Sequence, residues 1–299
     1  MFNPLCTPPM PWPRIISGIV AIAVALVMIL LGGWYFTLGF GVLIFLGQLE
    51  IFALVKAKGI LPAAKITLVV SQLLLITAHL SPPLADALLP LSGTFICFYL
   101  LFQPQVATIA DVAASILGLF YGGYLPGFWV RLRDLGDTAT TLPLGGFWPA
   151  TWPPALDSLP YGLVVTLLAF ACIWASDIGA YIAGKMIGRT PLSNISPKKT
   201  VEGAVFGMLG SMVVALIGSH WLQWPLWPAT GAALGLMVGT SSLLGDLTES
   251  LMKRDAGVKD SGALIPGHGG ILDRTDSYVF TGALVYFFVT LLLPLLSAS

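Results

Sequence analysis

Charge is scarce in this sequence. Of 299 residues only 28 are charged, 14 bases and 14 acids, where a soluble domain carries roughly a quarter. With 57% hydrophobic residues and a mean hydropathy of +0.90, this excludes an ordinary soluble enzyme. Net charge is zero, which removes any global electrostatic case for a nucleic-acid partner. Cysteine is nearly absent. Cys6, Cys97 and Cys172 stand far apart and make neither a disulfide framework nor a zinc site, so they read as small buried hydrophobes. Three histidines, His79, His220 and His268, include no pair at metal-ligand spacing, a second argument against zinc.

What is present is a series of apolar runs long enough to cross a bilayer as helices. They predict an all-α, polytopic integral membrane protein forming one transmembrane domain over residues 1–299. Nine spans are expected, at about 14–31, 34–55, 63–80, 84–102, 106–125, 160–184, 203–221, 229–250 and 277–296. Residues 126–159 read as a long connection. The first run follows a single base, Arg14, as a signal peptide does, but another span follows at once, so it is read as retained. Nine spans with the N-terminus in the cytoplasm put twelve of the fourteen bases on the cytoplasmic side, leaving only Arg131 and Arg133 outside. The C-terminus then lies on the opposite face, and an active site facing the cytoplasm from a bacterial inner membrane is expected. Small residues at spacing four (Gly231, Gly235 and Gly239; Gly203 and Gly207) mark close helix contacts, either within the chain or across a homodimer.

Ten of the 28 charges fall in the 31 positions from Asp246 to Asp276. Asp246, Ser250 and Lys253 share one helical face, and Gly267, Gly269 and Gly270 tighten a loop around His268. Asp273 and Asp276 start the last span, at a helix N-terminus that favours carboxylates and bound phosphate. Acids and bases so mixed suit a hard cation with a phosphate ligand, Mg²⁺ above all; the plain alternative is a solvated loop of ion pairs. A second cluster runs from Ser176-Asp177 to Ser196-Pro197-Lys198-Lys199-Thr200. Asp177 lies about two turns inside an apolar run, where an ionisable group is costly and marks function or a partner. Lys198 and Lys199 suit a triphosphate or a lipid headgroup. Glu50 and Asp111 are further acids inside spans, either serving the site or pairing with a local lysine.

Two patterns are rejected. Gly179–Lys185 spells the start of a P-loop, but Met186 replaces Ser or Thr and the segment ends an apolar helix. Asn194-Ile195-Ser196 fits a glycosylation acceptor but precedes Pro197 on the cytoplasmic side.

Residues 250–276 closely resemble the hallmark of the phosphatidate cytidylyltransferases, or CDP-diacylglycerol synthases. The match runs over Ser250, Lys253, Arg254, Lys259, Asp260, Pro266, His268, Gly269, Gly270, Asp273, Arg274 and Asp276. The second cluster, continued by Glu202-Gly203, is similar to a second region of that family; Ile178 departs from the expected Thr or Ser. The resemblance covers roughly 170–280, so residues 160–299 are expected to form the catalytic half and 1–159 carry no diagnostic motif. It implies transfer of CMP from CTP to phosphatidic acid with Mg²⁺, and leaves room for a second cation. Under it, Asp246 and Asp273, with Asp276 or Asp177, would hold the metal. Lys198, Lys199, Lys253, Arg254, Lys259 and Arg274 would bind phosphates, Ser196, Asp260 and His268 would serve substrate, and Asp246, Asp273, Lys253 and Arg254 would carry catalysis. A CTP-dependent lipid kinase and a transporter are the competing readings.

Overall fold

The computed structural model describes residues 12–136, 140–155, 158–264 and 269–297. Among them every regular element is helical: α1 (Trp12–Leu31), α2 (Gly33–Ala57), α3 (Ala64–Leu80), α4 (Pro82–Leu101), α5 (Ile109–Leu119), α6 (Phe128–Arg133), α7 (Tyr161–Ile187), α8 (Val201–Trp221), α9 (Trp227–Asp255), α10 (Leu272–Val279), α11 (Thr281–Phe287) and α12 (Leu293–Ser297). Turn chemistry sets the breaks. Pro82 sits in the first turn of α4, where a missing N–H costs nothing. Gly32 joins α1 to α2 at φ 63°, a conformation that favours glycine.

Each expected apolar run is helical, and six helices are long and apolar enough to cross a membrane: 33–57, 82–101, 109–133, 161–187, 201–221 and 272–296. Helices over 18–31 and 64–80 are apolar but shorter. The 29-residue α9 lies outside the six because Gly, Ser and Thr dilute its apolar stretch; those residues pack it against its neighbours.

One boundary differs from expectation. Residues 126–133 fall in the stretch read as a long connection. A π-helical turn at Phe120–Tyr124 carries Gly122 and Gly123, and after a turn at 125–127 the helix resumes as α6. This buries both arginines. Arg131 pairs with Asp86 at 2.7 Å and lies over the Phe128 ring at 4.4 Å. Arg133 donates from Nε to the Ile29 carbonyl at 2.6 Å and from Nη2 to that of Leu30 at 3.0 Å, satisfying the open end of α1. Among the described residues Asp111 pairs with no lysine: it forms a capping box with Thr108 and accepts the Leu61 amide at 2.6 Å. His79 Nδ1 is hydrogen-bonded to Asp134 Oδ2 at 2.7 Å, and His220 packs on Trp227.

Helices α7, α8 and α9 pack backbone to backbone. A methyl group on Gly207 would stand 2.8 Å from the Ser176 carbonyl oxygen and 3.1 Å from Ala180 Cβ. Gly231 and Gly239 meet Leu216 and Met208 of α8 in the same way. These faces are taken up within one chain, so the surface that suggested a homodimer is covered. Gly207→Ala must push α8 off α7, and a loss of about 1–3 kcal/mol is expected, read as a lower unfolding midpoint in detergent. At the centre, Trp129 is fully buried and donates to the Tyr278 carbonyl at 2.9 Å, while Trp174 donates to the Tyr278 hydroxyl at 2.7 Å. This aromatic cluster fixes α10 against α6 and α7.

Candidate active site

The last turns of α9 carry Asp246, Glu249 and Lys253 at spacings of three and four, which puts them on one face. Glu249 is fully buried; its Oε2 faces the Lys253 ammonium and its Oε1 has no hydrogen-bond partner among the described residues. Asp276, buried one turn into α10, comes up beside them because Gly245 lets the two backbones touch: a Cβ on Gly245 would overlap the Asp276 carbonyl. One carboxylate oxygen from each of Asp246, Glu249 and Asp276 lies within 4.8 Å of the other two. From the loop between α7 and α8, the Lys199 ammonium pairs with Asp246. The two charged segments, nearly fifty residues apart, thus meet at one place.

Asp273 lies beside Glu249, on the Lys253 side of the trio. Its Oδ1 accepts from Lys253 Nζ at 2.6 Å, and its Oδ2 accepts from the Ser261 amide (2.9 Å), the Ser261 hydroxyl (3.0 Å) and the Gly270 amide (2.8 Å). Glu50, reaching across from α2, completes the clasp. Its Oε2 accepts from the Ser261 hydroxyl at 2.9 Å and the Leu272 amide at 2.8 Å, and its Oε1 from the Ile271 amide at 2.9 Å. Two of the open amides that begin α10 are satisfied by a carboxylate two hundred residues earlier. Glu50 and Asp273 together tie Ser261 to the segment 270–272 and set the aim of Lys253.

The remaining expected residues are placed as follows. Asp177 lies beside the trio on α7; Ser242 of α9 donates to it at 3.3 Å, and Asp246 and Lys199 are among the charges acting on it. Ser196 turns the loop by accepting the Lys199 amide at 3.0 Å through its carbonyl. Lys198, Lys259 and Asp260 are exposed on the two loops, and exposed Arg254 donates to the Val258 carbonyl at 3.0 Å. Arg274 is exposed at the start of α10. His268 lies outside the described residues. Sequence reasoning passed over two residues, Glu249 and Ser261. Glu249 carried a signal, since it lies at i+3 from Asp246. Glu50, read as serving the site or pairing with a lysine, meets Ser261 only through the tertiary fold.

Four carboxylates (Asp246, Glu249, Asp273, Asp276) face two ammonium groups (Lys199, Lys253), so two negative charges are left over when all are ionised. Crowded anions at this burial are costly without a compensating cation. Hard oxygen donors, an orphaned buried oxygen on Glu249 and an excess of two negative charges fit a divalent ion such as Mg²⁺.

Comparison with known proteins agrees with this chemistry. The model of the cytidylyltransferase family matches residues 12–292. The chain is 63% identical over 293 residues to a phosphatidate cytidylyltransferase of Synechocystis sp., covering 96% of this chain and 99% of that protein. It is 42% identical over 291 residues to the chloroplastic phosphatidate cytidylyltransferase 4 of Arabidopsis thaliana, covering 92% and 72%. It is 31% identical over 289 residues to the phosphatidate cytidylyltransferase of Bacillus subtilis, covering 93% and 97%. With an all-helical fold, a carboxylate trio flanked by lysines and a match along nearly its whole length, the chain belongs to the cytidylyltransferase family.

Proposed function

We propose that this protein transfers the cytidylyl group of CTP to phosphatidate, giving CDP-diacylglycerol and pyrophosphate. The observation that carries the reading is the meeting of Asp246, Glu249 and Asp276 with Lys199 and Lys253 in a chain of this family. A phosphate oxygen of phosphatidate attacks the α-phosphorus of CTP. The new phosphorus–oxygen bond forms as the bond to the bridging oxygen of the β-phosphate breaks, and its electron pair leaves with pyrophosphate. The nucleophile is already an anion, so no strong base is needed. The obstacle is repulsion between two anionic substrates, and catalysis is chiefly positioning and charge neutralisation.

Lys199 and Lys253, each held by carboxylates, present fixed positive charge to the reacting phosphates. Exposed Lys198, Arg254, Lys259 and Arg274 draw both anions towards the site. Ser196 and Asp260 shape the two loops that receive them, and His268 would serve substrate. Asp246, Glu249 and Asp276 would hold Mg²⁺, with Asp177 beside them; a second cation is compatible with this many carboxylates. When bound, Mg²⁺ supplies positive charge to phosphate oxygens and orients them. Asp273 serves the site by holding Lys253 and the loop.

We place the chain in a bacterial inner membrane with nine spans, the N-terminus and the site in the cytoplasm and the C-terminus opposite. The bias of basic residues supports this. So does the pairing of Lys58 with Asp255 at 3.2 Å, which joins the basic ends of α2 and α9 on one side, while Arg131–Asp86 and His79–Asp134 lie at the other ends of their helices.

The test uses purified protein, phosphatidate, Mg²⁺ and labelled CTP. Label at the α-phosphate is expected in the lipid phase, and label at the γ-phosphate in pyrophosphate. Label from the γ-phosphate in lipid would make the protein a kinase. No label in lipid from folded protein across a range of Mg²⁺ would overturn the reading.

A further inference from the structure

The π-helical turn at Phe120–Tyr124 is held in place by polar groups inside the bundle. Gln48 of α2, fully buried, donates to the Gly118 carbonyl at 2.8 Å and to the Ser71 hydroxyl of α3 at 2.7 Å. Two glycines let the turn lie against both helices. A methyl group on Gly122 would stand 2.8 Å from Gln48 Cγ, and one on Gly123 would overlap the Ser71 hydroxyl. Polar side chains at this depth are costly unless they are partnered or serve function, and π turns recur at functional sites.

What this turn presents is Tyr121. The side chain is 2% exposed, and its hydroxyl has no hydrogen-bond partner among the described residues. The ring meets Phe280 edge-on, with 5.5 Å between centroids, and shares a packed cluster with Leu272 and Val279 of α10 and Met252 of α9. Leu272 and Val279 lie four before and three after Asp276, and Met252 lies three after Glu249. Tyr121 therefore meets both helices on the faces that carry those acids. The charges acting on its phenol are those of Asp276, Glu249 and Asp246, the three members of the carboxylate trio. Glu249 has the complementary need: it is fully buried, and its Oε1 lacks a donor among the described residues. A buried donor without an acceptor thus lies near a buried acceptor without a donor, and each is unfavourable alone.

We infer that Tyr121 is a positioning residue for the metal-binding carboxylates: its hydroxyl donates to Glu249 as the trio takes up a divalent ion, and fixes how that carboxylate faces the ion. The inference rests on the proposed reading of Asp246, Glu249 and Asp276 as Mg²⁺ ligands, and deepens it. The other two acids already have donors. Asp276 accepts the Ser277 amide at 2.7 Å, and Asp246 accepts the Ser250 hydroxyl at 3.4 Å and pairs with Lys199. Glu249 faces Lys253 on one oxygen only, so the phenol supplies what the other needs. A hydrogen bond to an ionised carboxylate is strong, the more so away from water. Groups that orient metal ligands in this way are typically worth about 10–100-fold in metal affinity or activity.

The experiment measures Mn²⁺ binding to the full-length protein in detergent, without nucleotide, by the electron paramagnetic resonance signal of the free ion. Tyr121→Phe should weaken Mn²⁺ at least about tenfold. Tyr124→Phe removes the other hydroxyl of the same turn, which donates to Asp86 at 2.6 Å, and should leave the affinity unchanged. Thermal unfolding with a chelator separates positioning from packing. Phenylalanine keeps the ring and removes a buried hydroxyl that has no acceptor, so the metal-free midpoint should hold or rise. The further rise produced by Mn²⁺ should shrink. In turnover, the half-saturating Mg²⁺ concentration should increase by the same factor, with most of the rate recovered at saturating Mg²⁺. Unchanged Mn²⁺ affinity in Tyr121→Phe overturns the inference, even where transfer is lost. So does a lower metal-free midpoint that Mn²⁺ raises as much as in wild type, which is packing alone. If Tyr121→Phe does not fold, Tyr121→Met, an adaptable apolar filler, takes its place, and wild-type affinity in that variant overturns the inference. Wild-type protein that transfers cytidylyl groups yet binds no Mn²⁺ overturns it and leaves the reaction standing. Mn²⁺ binding weakened by Tyr121→Phe in a protein that transfers nothing from CTP sustains it and rejects the proposed reaction.

Discussion

Asp246→Asn is expected to lower transfer of α-labelled phosphate from CTP into lipid by about 10³-fold, the scale for losing a preorganised charge at a reacting centre. The substitution keeps shape and volume and removes one negative charge from the trio with Glu249 and Asp276. Asp246 is the least buried of the three and sits on the turn of α9 closest to Lys199. The protein should therefore keep its unfolding midpoint, and the defect should lie in chemistry. If this carboxylate holds Mg²⁺, the half-saturating Mg²⁺ concentration must rise in the variant, and part of the rate should return at high Mg²⁺. Lys199→Met separates this role from that of the ion pair: it removes the partner, leaves the carboxylate, and should raise KM for CTP without raising the Mg²⁺ requirement. An Asp246→Asn protein with wild-type rate and Mg²⁺ response would take Asp246 out of the site.

The sequence showed where the charges gather but not how they divide. Hydropathy marks apolar runs directly, so the helices were legible to within several residues, and α6 was lost inside the stretch read as a connection. The joining of Lys199 to Asp246 was legible from the side on which their loops must lie. Which acids converge was not. Ser250 at i+4 and Glu249 at i+3 flank Asp246 almost equally on a helical wheel. Only the packing of α10 against Gly245 decides that Asp276 arrives on the Glu249 side. Asp273 and Asp276, three apart at one helix end, looked alike, yet the first turns back to grip its loop and the second turns in to the trio. Glu50 was marked as an acid inside a span, but nothing local named its partners, which lie more than two hundred residues on.

That distant contact yields the other large effect. Glu50→Ala should loosen the 256–271 loop and the start of α10 while leaving the helices that build the bundle intact. Glu50 is 9% exposed and receives three donors: the Ser261 hydroxyl and the Ile271 and Leu272 amides. The Ser261 hydroxyl keeps Asp273 as acceptor, so two amides are left without one; each costs roughly 1–3 kcal/mol, and the clasp should lose about 2 kcal/mol or more. This corresponds to at least about a thirtyfold greater population of the open loop. Hydrogen exchange at the Ile271 and Leu272 amides should quicken by that factor, and protease should cut within 256–271. Activity should fall with it, because Ser261 also donates to Asp273, and Asp273 aims Lys253. Glu50→Gln keeps one acceptor oxygen but turns an amide N–H₂ towards a donor, so its protection and activity should lie between those of wild type and Glu50→Ala. Unchanged exchange at Ile271 and Leu272 in Glu50→Ala would show that Asp273 alone holds the loop. An equal rise in exchange throughout α8 and α9 would mean that Glu50 supports the whole bundle. The graded response of Gln and Ala, confined to this loop and followed by turnover, is what a positioning residue for Lys253 must produce.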